Sequence, residues 1–123
     1  MPQTVVIYHN PRCSKSRQAL ELLQARSDIK LEVVRYLEQP PSRELLGQLL
    51  TALQAATPGF KAHDLLRTRE AAYAELGLSQ RSTQAQILAA IAEHPVLLER
   101  PVIVSDQRAV VGRPTERVSE LFD

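Results

Sequence analysis

His9-Asn10-Pro11-Arg12-Cys13-Ser14-Lys15-Ser16-Arg17 contains the only cysteine of the 123-residue chain, and its reading decides the fold. Upstream, Thr4-Val5-Val6-Ile7-Tyr8 is a short apolar run rich in β-branched residues, which predicts a buried strand. Downstream, Ser16 to Arg26 sets Ala19, Leu20, Leu22 and Leu23 on one side of a predicted helix. Cys13 therefore falls in a strand-to-helix turn, close to a helix N-terminus. Unpaired backbone N–H groups and the positive end of the helix dipole converge there. Such a position lowers a thiol's pKa and also binds an oxyanion. A lone cysteine is often a small buried hydrophobe. This one has Arg12, Ser14 and Lys15 around it and Pro11 in the turn, poor company for a core residue. We read it as a reactive thiol.

Outward from this unit, Ser27-Asp28 breaks the helix and Lys30 to Leu37 forms a second strand, with Leu31, Val33 and Arg35 on one face. Strand, helix, strand in this order implies a right-handed crossover and two parallel strands. Ser42 is a good N-cap for a helix carrying Leu45, Leu46, Leu49, Leu50 and Leu53, which Thr57-Pro58-Gly59 ends. Asp64 is expected to cap a short helix holding Leu65, Leu66 and Arg67. Ala71 to Leu76 reads as another short helix, ended by Gly77, and Ser82 or Thr83 opens one with Ile87, Leu88, Ile91 and Ala92 buried. Pro101 to Ser105 and Arg108 to Gly112 flank Asp106-Gln107 as a β-hairpin, and a last helix runs through Leu121-Phe122. The order is βαβ, a helical insertion over about 42–98, then ββα. It is compatible with a single α/β domain over 1–123 with a thioredoxin-like mixed sheet.

Composition narrows the function. A net charge of +1 argues against a general nucleic-acid binder, though not against a local cationic pocket. No stretch approaches the ~20 apolar residues of a membrane span, and the N-terminus lacks a signal-peptide layout. One cysteine permits no internal disulfide, so any disulfide forms with another molecule, and a reducing cytoplasm fits best.

The segment Ile7 to Arg17 resembles the active-site signature of the glutaredoxin-coupled arsenate reductases. Tyr36-Leu37-Glu38-Gln39-Pro40-Pro41-Ser42-Arg43, Leu65-Leu66-Arg67, Glu99-Arg100-Pro101-Val102-Ile103-Val104 and Gly112-Arg113-Pro114 resemble four further landmarks of that family, in family order. The resemblance implies the thioredoxin-like fold with its helical insertion, and a cis bond at Arg100-Pro101. It also implies that Cys13 is the nucleophile and that Arg67, Arg100 and Arg113 bind substrate and assist catalysis, with His9 and Ser16 in support. Arg69 comes two residues after Arg67, and helix spacing points it away from that site. The substrate implied is arsenate or a similar oxyanion, with glutathione as co-substrate, glutaredoxin as partner, and no bound cofactor or metal in a monomer. Ser14-Lys15 and Arg12 resemble a short, single-cysteine subgroup rather than the best-known arsenic-resistance members. Two other functions remain open: a Spx-like redox or transcription regulator, which would need a second cysteine where Ser16 stands, and a general glutathione-linked thiol oxidoreductase.

The chemistry asks for the same residue types. Arsenate is a negatively charged tetrahedral oxyanion, and arginine presents planar paired donors that match it. A free thiol is only a few per cent ionised near pH 7, and neighbouring cations raise that fraction.

Overall fold

A computed structural model describes residues 3–122. Four strands, β1 (Gln3–His9), β2 (Ile29–Arg35), β3 (Val102–Ser105) and β4 (Arg108–Val111), form one mixed sheet in the order β2-β1-β3-β4. β1 and β2 are parallel and in register, from Gln3↔Ile29 to His9↔Arg35, while β3 is antiparallel to both β1 and β4. The parallel pair is joined by α1 (Ser14–Gln24), as the strand-helix-strand order requires. The structure thus has the α/β architecture, with two parallel strands and a hairpin, that the order of apolar runs implies.

The pleat of the sheet sorts its residues into two cores. Val5, Ile7, Ile103 and Val110 face Ala19 and Leu23 of α1 together with Val118 and Leu121 from a 3-10 segment at Thr115–Leu121. Tyr8, Val102, Ala109 and Val111 face the other layer, built on α2 (Arg43–Ala56) and α4 (Gln84–Glu93). There Leu46, Leu49, Leu50, Leu53, Ile87 and Ile91 are buried. Each such aliphatic side chain contributes roughly 1.5–3 kcal/mol relative to exposure. Both helices begin on side-chain caps. Ser42 Oγ accepts the Leu45 N–H at 3.1 Å, and Thr83 and Gln86 exchange bonds in a capping box. A short α3 (Ala71–Glu75) ends before Gly77, whose φ of 70° suits glycine. No helix among the described residues is long and apolar enough to cross a membrane.

Several expectations are corrected. α1 starts at Ser14, two residues early, which makes Cys13 itself the N-cap. Leu22 is 49% exposed, because α1 buries the stripe Ser16, Ala19 and Leu23, and Leu22 lies off that stripe. Val33 is 43% exposed, because β2 is a sheet edge and α1 covers it incompletely. Leu65 closes a single 3-10 turn (Ala62–Leu65), and Leu66 and Arg67 are extended rather than helical. Leu66 instead forms an antiparallel bridge to Leu98. The insertion is therefore less helical than the apolar spacing suggested. The last helix is the 3-10 segment already named. The Arg100-Pro101 bond is cis, as expected, and so is Arg113-Pro114.

Candidate active site

β1 ends at His9, and the chain turns through Asn10 to Arg12 before α1 begins. The turn is held by its own groups: the Cys13 N–H donates to the Asn10 carbonyl at 3.0 Å and the Arg12 N–H to Asn10 Oδ1 at 3.0 Å. Arg17 Nη1 donates to the Pro11 carbonyl at 2.8 Å, so this arginine secures the turn. Cys13 has extended backbone angles, and its carbonyl accepts the first helical bond, from Arg17 N–H at 3.0 Å. A helix N-cap normally carries a serine, threonine or aspartate oxygen that accepts orphan N–H groups. Here sulfur occupies that place.

Cys13 is 8% exposed. Burial pushes its thiol pKa up, but the Ser16 N–H, the Arg100 guanidinium and the Lys15 N–H together hold it below the ordinary value. The amides do this without completing a cap hydrogen bond to the sulfur. The balance shifts the thiol towards its thiolate form.

His9 and Ser16 are both buried behind the turn. His9 Nδ1 lies 2.6 Å from Ser16 Oγ, which also accepts the Asn10 N–H at 3.0 Å. Burial lowers the His9 pKa, and Arg35 and Arg17 lower it further, so the ring is neutral near pH 7. No other acceptor for the Ser16 hydroxyl occurs among the described residues. The arrangement that gives the Ser16 hydroxyl an acceptor has it donating to Nδ1 and the ring proton on Nε2. His9 thus fixes Ser16, and Ser16 fixes the first turn of α1 beneath the sulfur.

The arginines arrive by tertiary pairing. Residues 65–67 and 97–99 zip together: the Arg67 N–H donates to the Leu97 carbonyl at 2.8 Å and the Glu99 N–H to the Leu65 carbonyl at 2.6 Å. This sets Arg67 opposite Leu97 and Leu65 opposite Glu99, and Arg67 and Glu99 line one cleft. Past the hairpin, the Gly112 N–H donates to the Pro101 carbonyl at 2.9 Å and sets Arg113 beside the same edge. The absence of a side chain at 112 lets the strands approach closely, since a Cβ there would lie 3.0 Å from Pro101 Cγ and 3.1 Å from Ile103 Cδ1, and those side chains would have to give way.

The four expected residues fall into two adjoining groups. Arg100 stands beside the Cys13 sulfur, and its Nε and Nη1 are buried with no hydrogen-bond partner among the described residues. Two buried cationic donors without an acceptor are costly, and an anion held next to the sulfur would satisfy them. Arg67 and Arg113 line a cleft of about 410 Å³ with Leu66, Thr68, Arg69 and Glu99. Arg67 is ion-paired with Glu70, whereas Arg113 Nε stands 4.0 Å from Glu99 Oε1. Cys13 is not on the wall of this cleft; Glu99, next to Arg100 in the chain, joins the two groups.

Two neighbours were not singled out by sequence, and a third, Arg69, was set aside on helix spacing. Arg69 shares the cleft because the chain after Leu66 is not helical, which removes the reason to point it away. Glu99 accepts the Arg100 N–H at 3.3 Å. Tyr36 is 1% exposed, and burial pushes its hydroxyl up to about 12 despite the nearby Arg100 and Asn10. The signal for Tyr36 lay in the parallel register: one step past His9↔Arg35 sets it opposite Asn10.

Comparison with known proteins bears on the chain as a whole rather than on this geometry. Residues 8–121 match the model of the ArsC family. An arsenate reductase from Neisseria meningitidis serogroup A is 44% identical over 123 residues, covering 99% of this chain and 100% of the relative. An arsenate reductase from Escherichia coli is 37% identical over 119 residues, 96% of this chain and 80% of the relative. The solved structure of an arsenate reductase from Vibrio cholerae superposes with a TM-score of 0.88 at 41% identity, over 98% of each chain. That likeness carries the thioredoxin-like architecture the family resemblance implied, and with matches running nearly its whole length the chain belongs to the ArsC family.

Proposed function

We propose that the protein reduces arsenate to arsenite, with Cys13 as nucleophile and glutathione and glutaredoxin as the source of electrons. The observation that carries this reading is Arg100, whose buried Nε and Nη1 have no partner among the described residues and whose guanidinium adjoins an acidified thiol. A tetrahedral oxyanion placed there accepts from Arg100 while its central atom faces sulfur. Arg67 and Arg113, at the adjoining cleft, supply further donors and charge.

The Cys13 thiolate attacks arsenic, an As–O bond breaks, and the departing oxygen takes up protons and leaves as water. Glutathione then adds its sulfur to the Cys13-bound arsenic, displacing a second oxygen as water. A glutaredoxin thiolate attacks that glutathione sulfur; the electron pair of the S–As bond passes to arsenic, which falls from the pentavalent to the trivalent state. Glutaredoxin leaves as its mixed disulfide with glutathione, and water releases arsenite and free Cys13. The external thiols are needed because the chain has no second cysteine to resolve its own intermediate. Ser16 stands where a redox-switch cysteine would, and it is buried against His9. The reaction suits a monomer in the cytoplasm, where glutathione is abundant.

The test is a coupled assay with glutathione, glutaredoxin and glutathione reductase. Arsenate-dependent NADPH consumption that disappears in Cys13→Ser supports the reading. Absence of such consumption in the wild type refutes it. Removal of glutathione from glutathionylated proteins in its place would assign a general thiol oxidoreductase.

A further inference from the structure

The cleft beside Arg100 contains one feature that oxyanion binding does not require. Arg67, Arg69 and Arg113 line it, and so does a carboxylate, Glu99. In a pocket built only to attract anions a carboxylate is a liability, since like charges repel. Glu99 is only partly offset by its neighbours. Oε1 accepts the Arg100 N–H at 3.3 Å and stands 4.0 Å from Arg113 Nε, too far for a close hydrogen bond. Oε2 has no hydrogen-bond partner among the described residues. The side chain is 28% exposed, so it reaches the cleft without being surrendered to water.

An ionised carboxylate can only accept hydrogen bonds. A tetrahedral anion that meets it must therefore present a donor. Hydrogenarsenate and hydrogenphosphate carry one hydroxyl at neutral pH, whereas sulfate carries none. We propose that Glu99 is a specificity-determining residue that admits oxyanions bearing a proton, such as arsenate and phosphate, and rejects fully deprotonated ones such as sulfate. The arginines take the bare oxygens and Glu99 takes the hydroxyl. The inference rests on the oxyanion reading of the site and adds to it a rule for which oxyanions enter. Burial raises the Glu99 pKa above the ordinary carboxylate value, and the Arg100 N–H and the Arg113 guanidinium oppose that rise.

The experiment is calorimetric titration of the full chain with sodium phosphate, arsenate and sulfate at neutral pH and matched ionic strength, for the wild type and Glu99→Gln. The wild type is expected to bind phosphate and arsenate at least about tenfold more tightly than sulfate, because a site built around a ligand hydroxyl rejects an analogue lacking it. In Glu99→Gln the amide keeps the shape and offers both a donor and an acceptor, so sulfate tightens and the ratio falls towards one. If Glu99 were only a counter-charge for Arg113, its neutralisation would tighten all three anions alike and leave the ratio unchanged. That result overturns the proposal, as does equal binding of sulfate and phosphate by the wild type. A wild type that binds none of the three overturns the oxyanion reading as well, so the two failures are distinguishable.

Discussion

The Cys13 turn and the arginine edge make up one candidate site by opposite means. The turn is local: nine consecutive residues, His9 to Arg17, supply the sulfur, the helix N-terminus beneath it and the His9–Ser16 bond that stiffens it. The edge is assembled from residues 65–67, 97–101 and 111–113, which meet only after the insertion has folded onto the sheet. Local construction fixes a group's position early and cheaply, since few backbone degrees of freedom lie between its parts. Tertiary construction brings like charges together, which no short peptide would do unaided. The thiolate is prepared by the first and the anion's seat by the second. Changes in the turn should therefore alter the nucleophile, and changes in the edge the substrate.

The severest break is Cys13→Ser. Activity in the coupled arsenate assay should fall by a factor on the order of 10³ or more, since a hydroxyl has no usable anion at neutral pH. Stability should not follow it down. Serine is a preferred N-cap, whereas Cys13 completes no cap hydrogen bond, so Tm should hold or rise. A large fall in Tm would mean that the sulfur contributes to folding and that the turn is not the independent unit described.

Arg100→Ala breaks the other side. Loss of one preorganised oxyanion donor costs about 10²–10³-fold in kcat. The pH midpoint of Cys13 alkylation, which in the wild type should lie below the ordinary ~8.5, should move up. Thiolate reactivity falls as pH falls through that midpoint, so the variant loses most at neutral pH. Thermal stability should be retained, because the two unpartnered nitrogens leave with the side chain. An unmoved midpoint would mean that the turn alone sets the thiol's acidity.

Gly112→Ala tests whether the edge depends on close backbone approach. Its Cβ would press on Pro101 and Ile103, next to Arg100, and overpacking of this kind costs about 1–3 kcal/mol. Urea denaturation should show that loss, and kcat should drop while the alkylation midpoint changes little. A fully stable, active variant would show that Pro101 can move without disturbing Arg100.

The same division explains what could be read in the residues beforehand. Val5 and Ile7 in a β-branched run, Ser42 before its leucine stripe and Thr83 before Ile87 each act within a few positions, and each produced the element its spacing implied. Leu65-Leu66-Arg67 has helical composition but pairs with Leu97-Leu98-Glu99, because a buried bridge satisfies backbone groups that a lone helical turn would leave open. Arg69 and Glu99 share the cleft for the same reason, and no periodicity carries that information. Leu22 was misplaced by a smaller error, since apolar residues outnumber the buried positions on α1.

The finest division between the two regions is a pH effect confined to the turn. The His9 ring is buried and its pKa lies below the unfolded value of ~6.5. Above that value the ring is neutral in both states and contributes no slope. Between the folded and unfolded values the unfolded chain takes up a proton that the folded chain refuses, so stability falls as pH falls, by no more than about 1.4 kcal/mol per pH unit. Below the folded value the loss is complete. His9→Gln removes this contribution, so the fall in urea midpoint between pH 7.5 and 5.5 should be smaller than in the wild type. The same variant should shift the alkylation midpoint less than Arg100→Ala does, since His9 reaches the sulfur only through Ser16. Equal pH slopes in wild type and variant would place the acid sensitivity elsewhere and leave His9 as packing beneath the turn.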